Sequence, residues 1–197
     1  MFKKFIFLSL MSVCFVSCLP KKDFVITDDF VKSQAGNNKK NSNAKYSYST
    51  TLSDDDRKYF AKKLEVSETE IINEKLYIFI KSWEGTKYIY GGETRAGIDC
   101  SALMHELYSH VYKKELPRTA SEMSMDNRIE LFKSDEKLRE GDLVFCRITD
   151  EKIISHVGIY LKNNKFFSAN LVGGVEISSL KKAYWKKNFV AAGRFKQ

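Results

Sequence analysis

Cys100 follows the polar turn Gly97-Ile98-Asp99 and opens an apolar pattern at Leu103, Met104, Leu107, Tyr108 and Val111. That is the spacing of a helix packed on one face, with Cys100 in its first turn. A thiol there faces unpaired N–H groups and the positive end of the helix macrodipole, both of which favour the thiolate. Cys100 is therefore a candidate nucleophile. The same position also suits a small buried hydrophobe or half of a disulfide, and this stretch by itself leaves the alternatives open. A nucleophilic thiol needs a base, and the chain has three histidines. His105 and His110 lie on the Cys100 helix; at 100° per residue His105 is about 140° around the axis from Cys100 and off the apolar stripe. Both read as solvated, and the same geometry excludes a metal site built from Cys100, His105 and His110. His156 opens Ser155-His156-Val157-Gly158-Ile159-Tyr160-Leu161, a run with strand character. A strand packed behind the Cys100 helix can present an imidazole to the thiol; a satisfied structural histidine at a strand start is the other reading.

The elements that must position these groups follow from periodicity. Asp54-Asp55-Asp56 offers a cap and acidic first turn for a short helix carrying Tyr59, Phe60 and Leu64. Ser67 and Glu70 form a capping box ahead of Ile72, Leu76, Phe79, Ile80 and Trp83, which predicts a second helix closed at Gly85. The Cys100 helix is expected to run to about Lys113, and residues 119–138 read mostly as loop with a helical turn around 120–130. Strands are predicted at Leu143–Thr149, Ile153–Leu161, Lys165–Asn170, Val175–Ser178 and Phe189–Phe195. Helices first and strands afterwards predict an α+β domain, N-terminal helices packed on an antiparallel sheet of about five or six strands.

The N-terminus reads as an export signal: Lys3 and Lys4, then the 12-residue apolar run Phe5–Val16, too short to span a bilayer permanently. Phe15-Val16-Ser17-Cys18 resembles a bacterial lipobox, which implies cleavage before Cys18 and acylation of its thiol, a stable anchor when several chains insert. Residues 1–17 are then signal peptide, 18–53 the lipidated cysteine and a polar linker, 54–67 a short helical lead-in and 68–197 the domain that carries Cys100 and His156. The expected location is the periplasmic face of the cell envelope. Two cysteines remain in the folded body. Cys146, in Asp142-Leu143-Val144-Phe145-Cys146, reads as a buried inert thiol, and a Cys100–Cys146 disulfide is the alternative that an oxidising compartment allows. The formal charge of +8 draws an exported protein to anionic lipids and wall polymers. No basic run interleaved with aromatics suggests a nucleic-acid groove.

Five segments then carry a resemblance: Gly85-Thr86-Lys87-Tyr88-Ile89-Tyr90-Gly91-Gly92, Asp99-Cys100-Ser101, Leu116-Pro117-Arg118-Thr119, Gly141-Asp142-Leu143-Val144-Phe145 and His156-Val157-Gly158-Ile159-Tyr160. In order and approximate spacing they resemble the NlpC-type cell-wall peptidases, papain-like cysteine enzymes that cleave peptidoglycan stem peptides, typically between D-glutamyl and a diamino acid. The resemblance covers about residues 68–196. It implies Cys100 as nucleophile and His156 as general base; no cofactor or metal is expected, and a monomer is the expected state, although the sequence does not fix it. It also implies that Tyr88, Asp99 and Ser101 line the pocket for the free amine of the stem peptide's first alanine, Asp99 supplying the counter-charge. Arg118 is left outside the catalytic set.

Two departures stand out. Ala102 replaces the family's usual Gly, and Ser168 stands where the family commonly has a polar residue, usually His, that orients the imidazole. Hairpin register decides whether Asn170 can substitute. A two-residue turn at Asn163-Asn164 turns Ser168 and Asn170 away from His156; a three-residue loop, Lys162-Asn163-Asn164, places both on its face with Asn170 directly across. The resemblance also leaves a catalytically weak or inactive wall-binding module of the same fold as an alternative, and an acyltransferase or amidase as a third.

Overall fold

In the computed structural model, which describes residues 51–150 and 153–196, Ser53 opens the first helix, α1 (Asp54–Leu64). The Ser53 hydroxyl accepts from the Asp56 N–H at 3.1 Å, and Asp54–Asp56 at one end and Lys62 and Lys63 at the other complement the macrodipole. Leu52 is already buried, so the folded unit begins within the stretch assigned above to the linker. The signal segment, Cys18 and the linker up to residue 50 lie outside the described residues.

The Ser67/Glu70 capping box is present, but it builds only a single 3-10 turn, Glu68–Glu70. The chain leaves helical geometry at Ile71, and α2 (Glu74–Trp83) starts afresh with Asn73 as its cap. This break moves the phase: Ile71 is buried and Ile72 is 74% exposed, the reverse of the sequence expectation. α2 buries Leu76, Tyr77, Ile78, Phe79, Ile80 and Trp83, and Phe60 of α1 packs its ring on Tyr77 at 5.0 Å. A two-stranded hairpin, β1 (Glu93–Thr94) and β2 (Gly97–Ile98), leads into α3 (Cys100–Leu107), which widens into a π-helical turn at Tyr108–Tyr112 and stops at left-handed Lys113.

Residues 119–138 hold more structure than their sequence suggested. α4 (Ala120–Met125) is opened by a Thr119/Glu122 capping box, and β3 (Ile129–Phe132) follows. The remaining strands are β4 (Leu143–Cys146), β5 (His156–Tyr160), β6 (Lys165–Asn170) and β7 (Gly174–Ser179), then helix α5 (Ala183–Asn188) and β8 (Phe189–Phe195). They form one antiparallel six-stranded sheet in the order β3-β8-β4-β5-β6-β7, so the α+β expectation holds.

Both faces of the sheet are covered. Leu143, Phe145, Val157, Ile159, Phe167 and Ala169 pack into the core shared with α1, α2 and α3. Val144, Cys146, Tyr160 and Phe166 meet Trp185 of α5 on the other side. Double coverage explains why β4 and β5 are buried throughout rather than alternating.

The β5–β6 loop has three residues. Leu161 N–H donates to Lys165 O at 2.9 Å and Lys165 N–H to Lys162 O at 2.8 Å, while Asn163 and Asn164 both take positive φ, 49° and 58°. The ladder pairs Ile159 with Phe167 and Tyr160 with Phe166. Continued, it sets Asn170 across from His156 and Ser168 across from Gly158. A Cβ on Gly158 would lie 2.7 Å from Phe167 O and 3.0 Å from Ser168 Cβ, so this crossing of strands requires glycine.

Candidate active site

Asp99 is the cap of α3 and fixes where Cys100 begins. Its Oδ1 accepts from the Ala102 N–H at 2.7 Å and from Ser101 Oγ at 2.9 Å, and its Oδ2 from the Gly91 N–H at 3.1 Å. Arg118 closes the set: Nη2 donates to Asp99 Oδ2 at 2.7 Å, Nη1 to Oδ1 at 3.1 Å and to Ser101 Oγ at 2.9 Å, and Nε pairs with Glu93 at 2.7 Å. Asp99, buried, thus meets a planar two-pronged donor, the geometry that suits a carboxylate best. Its oxygens already accept from five donors, and Arg118, set aside in the sequence reading, is the counter-charge that Asp99 has.

Cys100 lines a cavity of about 980 Å³ together with Tyr88, Asp99, His156, Asn170 and Trp185. Its thiol is pushed up to about 12 from an ordinary 9.0, first by burial and next by the Asp99 charge; the N–H groups of Val157, Ser101 and Cys100 act in the opposite direction. The backbone donors expected at the helix start are present, and burial outweighs them. His156 is moved down to about 4, by burial, against the pull of Asp99. Burial therefore works toward the neutral form of both groups. Tyr88 is held protonated well above the usual phenol range, mainly by burial, and remains a hydrogen-bond donor.

The imidazole is held by an aromatic contact. His156 is 1% exposed and stacks on Trp185 with ring centroids 5.1 Å apart and planes 30° from parallel. Trp185 is in turn held edge-on by Phe166 at 4.9 Å and Tyr184 at 5.0 Å. His156 Nε2 is buried and has no hydrogen-bond partner among the described residues. Ser168 and Asn170 share its face through the strand register, yet their bonds run away from the ring. Ser168 Oγ donates to Asn170 Oδ1 at 2.8 Å, and Asn170 Nδ2 donates to Glu176 Oε1 at 2.9 Å.

The sequence reading missed Trp185 and Glu176. Alternation in Val175-Glu176-Ile177-Ser178 was the available signal for Glu176, since it places Glu176 and Ser178 on one face. Nothing local announced Trp185, whose helix was not foreseen. His105 and His110 are partly exposed and pair with Glu115 and Glu106, outside the cavity lining. Cys100 and Cys146 are both free thiols, so no disulfide joins them.

Residues 85–194, more than half of the chain, match the family model described as the NlpC/P60 family. The chain belongs to the NlpC/P60 family. It is 42% identical over 113 residues to a probable endopeptidase NlpC homolog of Haemophilus influenzae, covering 57% of each chain. It is 37% identical over 140 residues to the murein DD-endopeptidase MepS/murein LD-carboxypeptidase of Escherichia coli, covering 66% of this chain and 71% of that protein. Among solved structures, a Staphylococcus aureus protein described as similar to lipoprotein, NLP/P60 family, shares the fold at a TM-score of 0.54 and 24% identity, over 75% of this chain and 44% of that one. An NlpC/P60 family protein from Bacillus cereus aligns at a TM-score of 0.54 and 25% identity, over 61% and 39%. The family match contains Cys100, Arg118, His156 and Trp185, while α1 and α2 lie outside it.

Proposed function

We propose that this chain is a cysteine peptidase of peptidoglycan stem peptides, cutting between D-glutamyl and a diamino acid, with Cys100 as nucleophile and His156 as base. The observation that carries the reading is that Cys100, at the start of α3, and the buried imidazole of His156 line one cavity. Burial works toward the neutral form of both groups, so attack and proton transfer are coupled in this reading. Cys100 Sγ attacks the carbonyl carbon as its proton passes to the imidazole, and the imidazolium then protonates the leaving amine as the C–N bond breaks. Water, deprotonated by His156, hydrolyses the thioester and restores the thiol. The N–H of Cys100 at the helix start suits the oxyanion. In this reading Tyr88 and Ser101 line the substrate pocket beside Asp99.

A second reading, a catalytically weak or inactive wall-binding module, is favoured by one observation: no polar group orients His156 Nε2 among the described residues. Digestion of purified muropeptides by the full chain and by Cys100→Ala, with products read by mass spectrometry, separates the two. A stem-peptide cut that vanishes in the variant supports the peptidase; binding without cutting supports the module.

We also infer an exported chain tethered at the cell envelope through a lipid on Cys18. No helix among the described residues is long and apolar enough to cross a membrane. Metabolic labelling with a radioactive fatty acid is expected to mark the wild type and not Cys18→Ala; equal labelling refutes the tether.

A further inference from the structure

The cavity holds a second carboxylate, which the reaction above does not use. Glu176 stands on β7 opposite Ser168 and lines the cavity. Its Oε1 accepts from Asn170 Nδ2 at 2.9 Å and from Ser178 Oγ at 3.0 Å. Asn170 and Ser178 are both buried, so two side chains with a desolvation cost of their own are turned to fix one carboxylate oxygen. No Lys, Arg or His pairs with Glu176 among the described residues. Asp99, the other carboxylate of the cavity, differs on this point: Arg118 neutralises it, and backbone and hydroxyl donors fill its remaining acceptor positions. A carboxylate oriented by buried donors, open to a cavity and lacking a counter-ion, is complementary to an ammonium group.

We propose that Glu176 forms the subsite for a primary ammonium group of the substrate, an assignment that rests on the peptidase reading above. A stem peptide can carry two such groups, the α-amine of its first residue and the side-chain amine of its diamino acid. The amine contact expected of Asp99 thereby passes to Glu176 or is joined by it. Ser168 and Asn170 then act on the carboxylate: the chain of bonds from Ser168 through Asn170 ends on Glu176 Oε1.

The test measures binding to the full chain in a Cys100→Ala background, with and without Glu176→Gln. The probes are synthetic stem tetrapeptides with both amines free, either one acetylated, or both. Gln keeps an oxygen acceptor for Asn170 and Ser178 and removes the charge, so the cradle stands; circular dichroism verifies the fold. Acetylating the contacted amine is expected to weaken Cys100→Ala binding about tenfold, the scale of one charged hydrogen bond. The Gln variant is expected to bind the free peptide about that much more weakly and to lose the discrimination. Whichever single acetylation reproduces the loss identifies the amine. Glu176→Asp, still charged, is expected to retain discrimination and covers the case in which the Gln variant does not fold. Equal acetylation effects with and without the Glu176 charge, or no binding by any of the proteins, overturn the assignment. Wild-type cleavage of the same peptides is read in parallel. Glu176-dependent discrimination without cleavage overturns the peptidase reading and leaves the subsite standing.

Discussion

The two halves of the candidate site are held by opposite means. Cys100 sits on a polar lattice in which Asp99 caps its helix, Ser101 and Gly91 bond to Asp99, and Arg118 clamps the whole. His156 sits in an apolar one: its ring lies on Trp185, and its Nε2 has no partner among the described residues. The difference has a physical consequence. A hydrogen-bonded lattice fixes direction, because each bond weakens steeply off axis, whereas a stacked ring fixes a plane and excludes water while leaving rotation within the plane less constrained. The candidate nucleophile is thus set on a directionally fixed helix start, and the candidate base is chiefly kept dry. Dryness is also what shifts both groups toward their neutral forms.

The largest expected effect removes the nucleophile: Cys100→Ala is predicted to lower muropeptide cleavage by roughly 10⁴-fold or more with little change in the thermal midpoint. Retained cleavage by the pure variant would sink the assignment. Next comes Trp185→Ala, which opens the aromatic side. Stability is expected to fall by about 3–5 kcal/mol in denaturant titration. Trp185→Phe, which keeps a ring against His156, is expected to recover most of the loss.

The same dry environment fixes a pH dependence. His156 binds its proton less readily folded than unfolded, so the unfolded chain takes up more protons between the two pKa values. Its contribution to stability is whole above about 6.5 and is lost as pH falls through about 4. Comparing denaturant midpoints of wild type and His156→Gln at neutral pH and near pH 4 isolates this contribution, with the variant predicted to lose less; parallel losses would contradict the buried neutral imidazole.

On the polar side, Arg118→Ala leaves the Asp99 carboxylate buried without its counter-charge. The guanidinium is partly exposed, so the loss is expected to be smaller, about 1–3 kcal/mol, with Arg118→Lys restoring only part of it because an ammonium cannot bond both oxygens in one plane. The smallest effect is assigned to Ser168→Ala. Its hydroxyl bonds Asn170 rather than the imidazole, so kcat/KM is expected to change by less than about threefold, under the energy of one neutral hydrogen bond. A loss of a hundredfold would show that Ser168 orients His156 after all, and the two halves would then be held alike.

The nucleophile side was legible before any coordinates because its parts are local. Asp99 caps three residues ahead, Cys100 follows it, and Leu103, Met104 and Leu107 announce the packed face. The strand carrying His156 and the β6 boundaries Lys165–Asn170 were legible for the same reason: alternation and Asn-rich turns act over a few residues. Local signals also misled where one residue decided the phase, as at Ile71, whose departure from helical geometry turned Ile72 outward.

What the sequence by itself determined is therefore the order and type of most elements, the candidate nucleophile and base, and the two registers open to the β5–β6 hairpin. Only the tertiary structure decided between those registers, because the pairing of Tyr160 with Phe166 and the bond from Leu161 N–H to Lys165 O exist only once the hairpin has closed. It alone brought Arg118 to Asp99 and Trp185 to His156, and it set burial above the helix dipole in governing the Cys100 thiol. These are contacts and desolvation costs between residues 19 to 29 positions or more apart, and no periodicity along a chain encodes which distant side chain excludes the water.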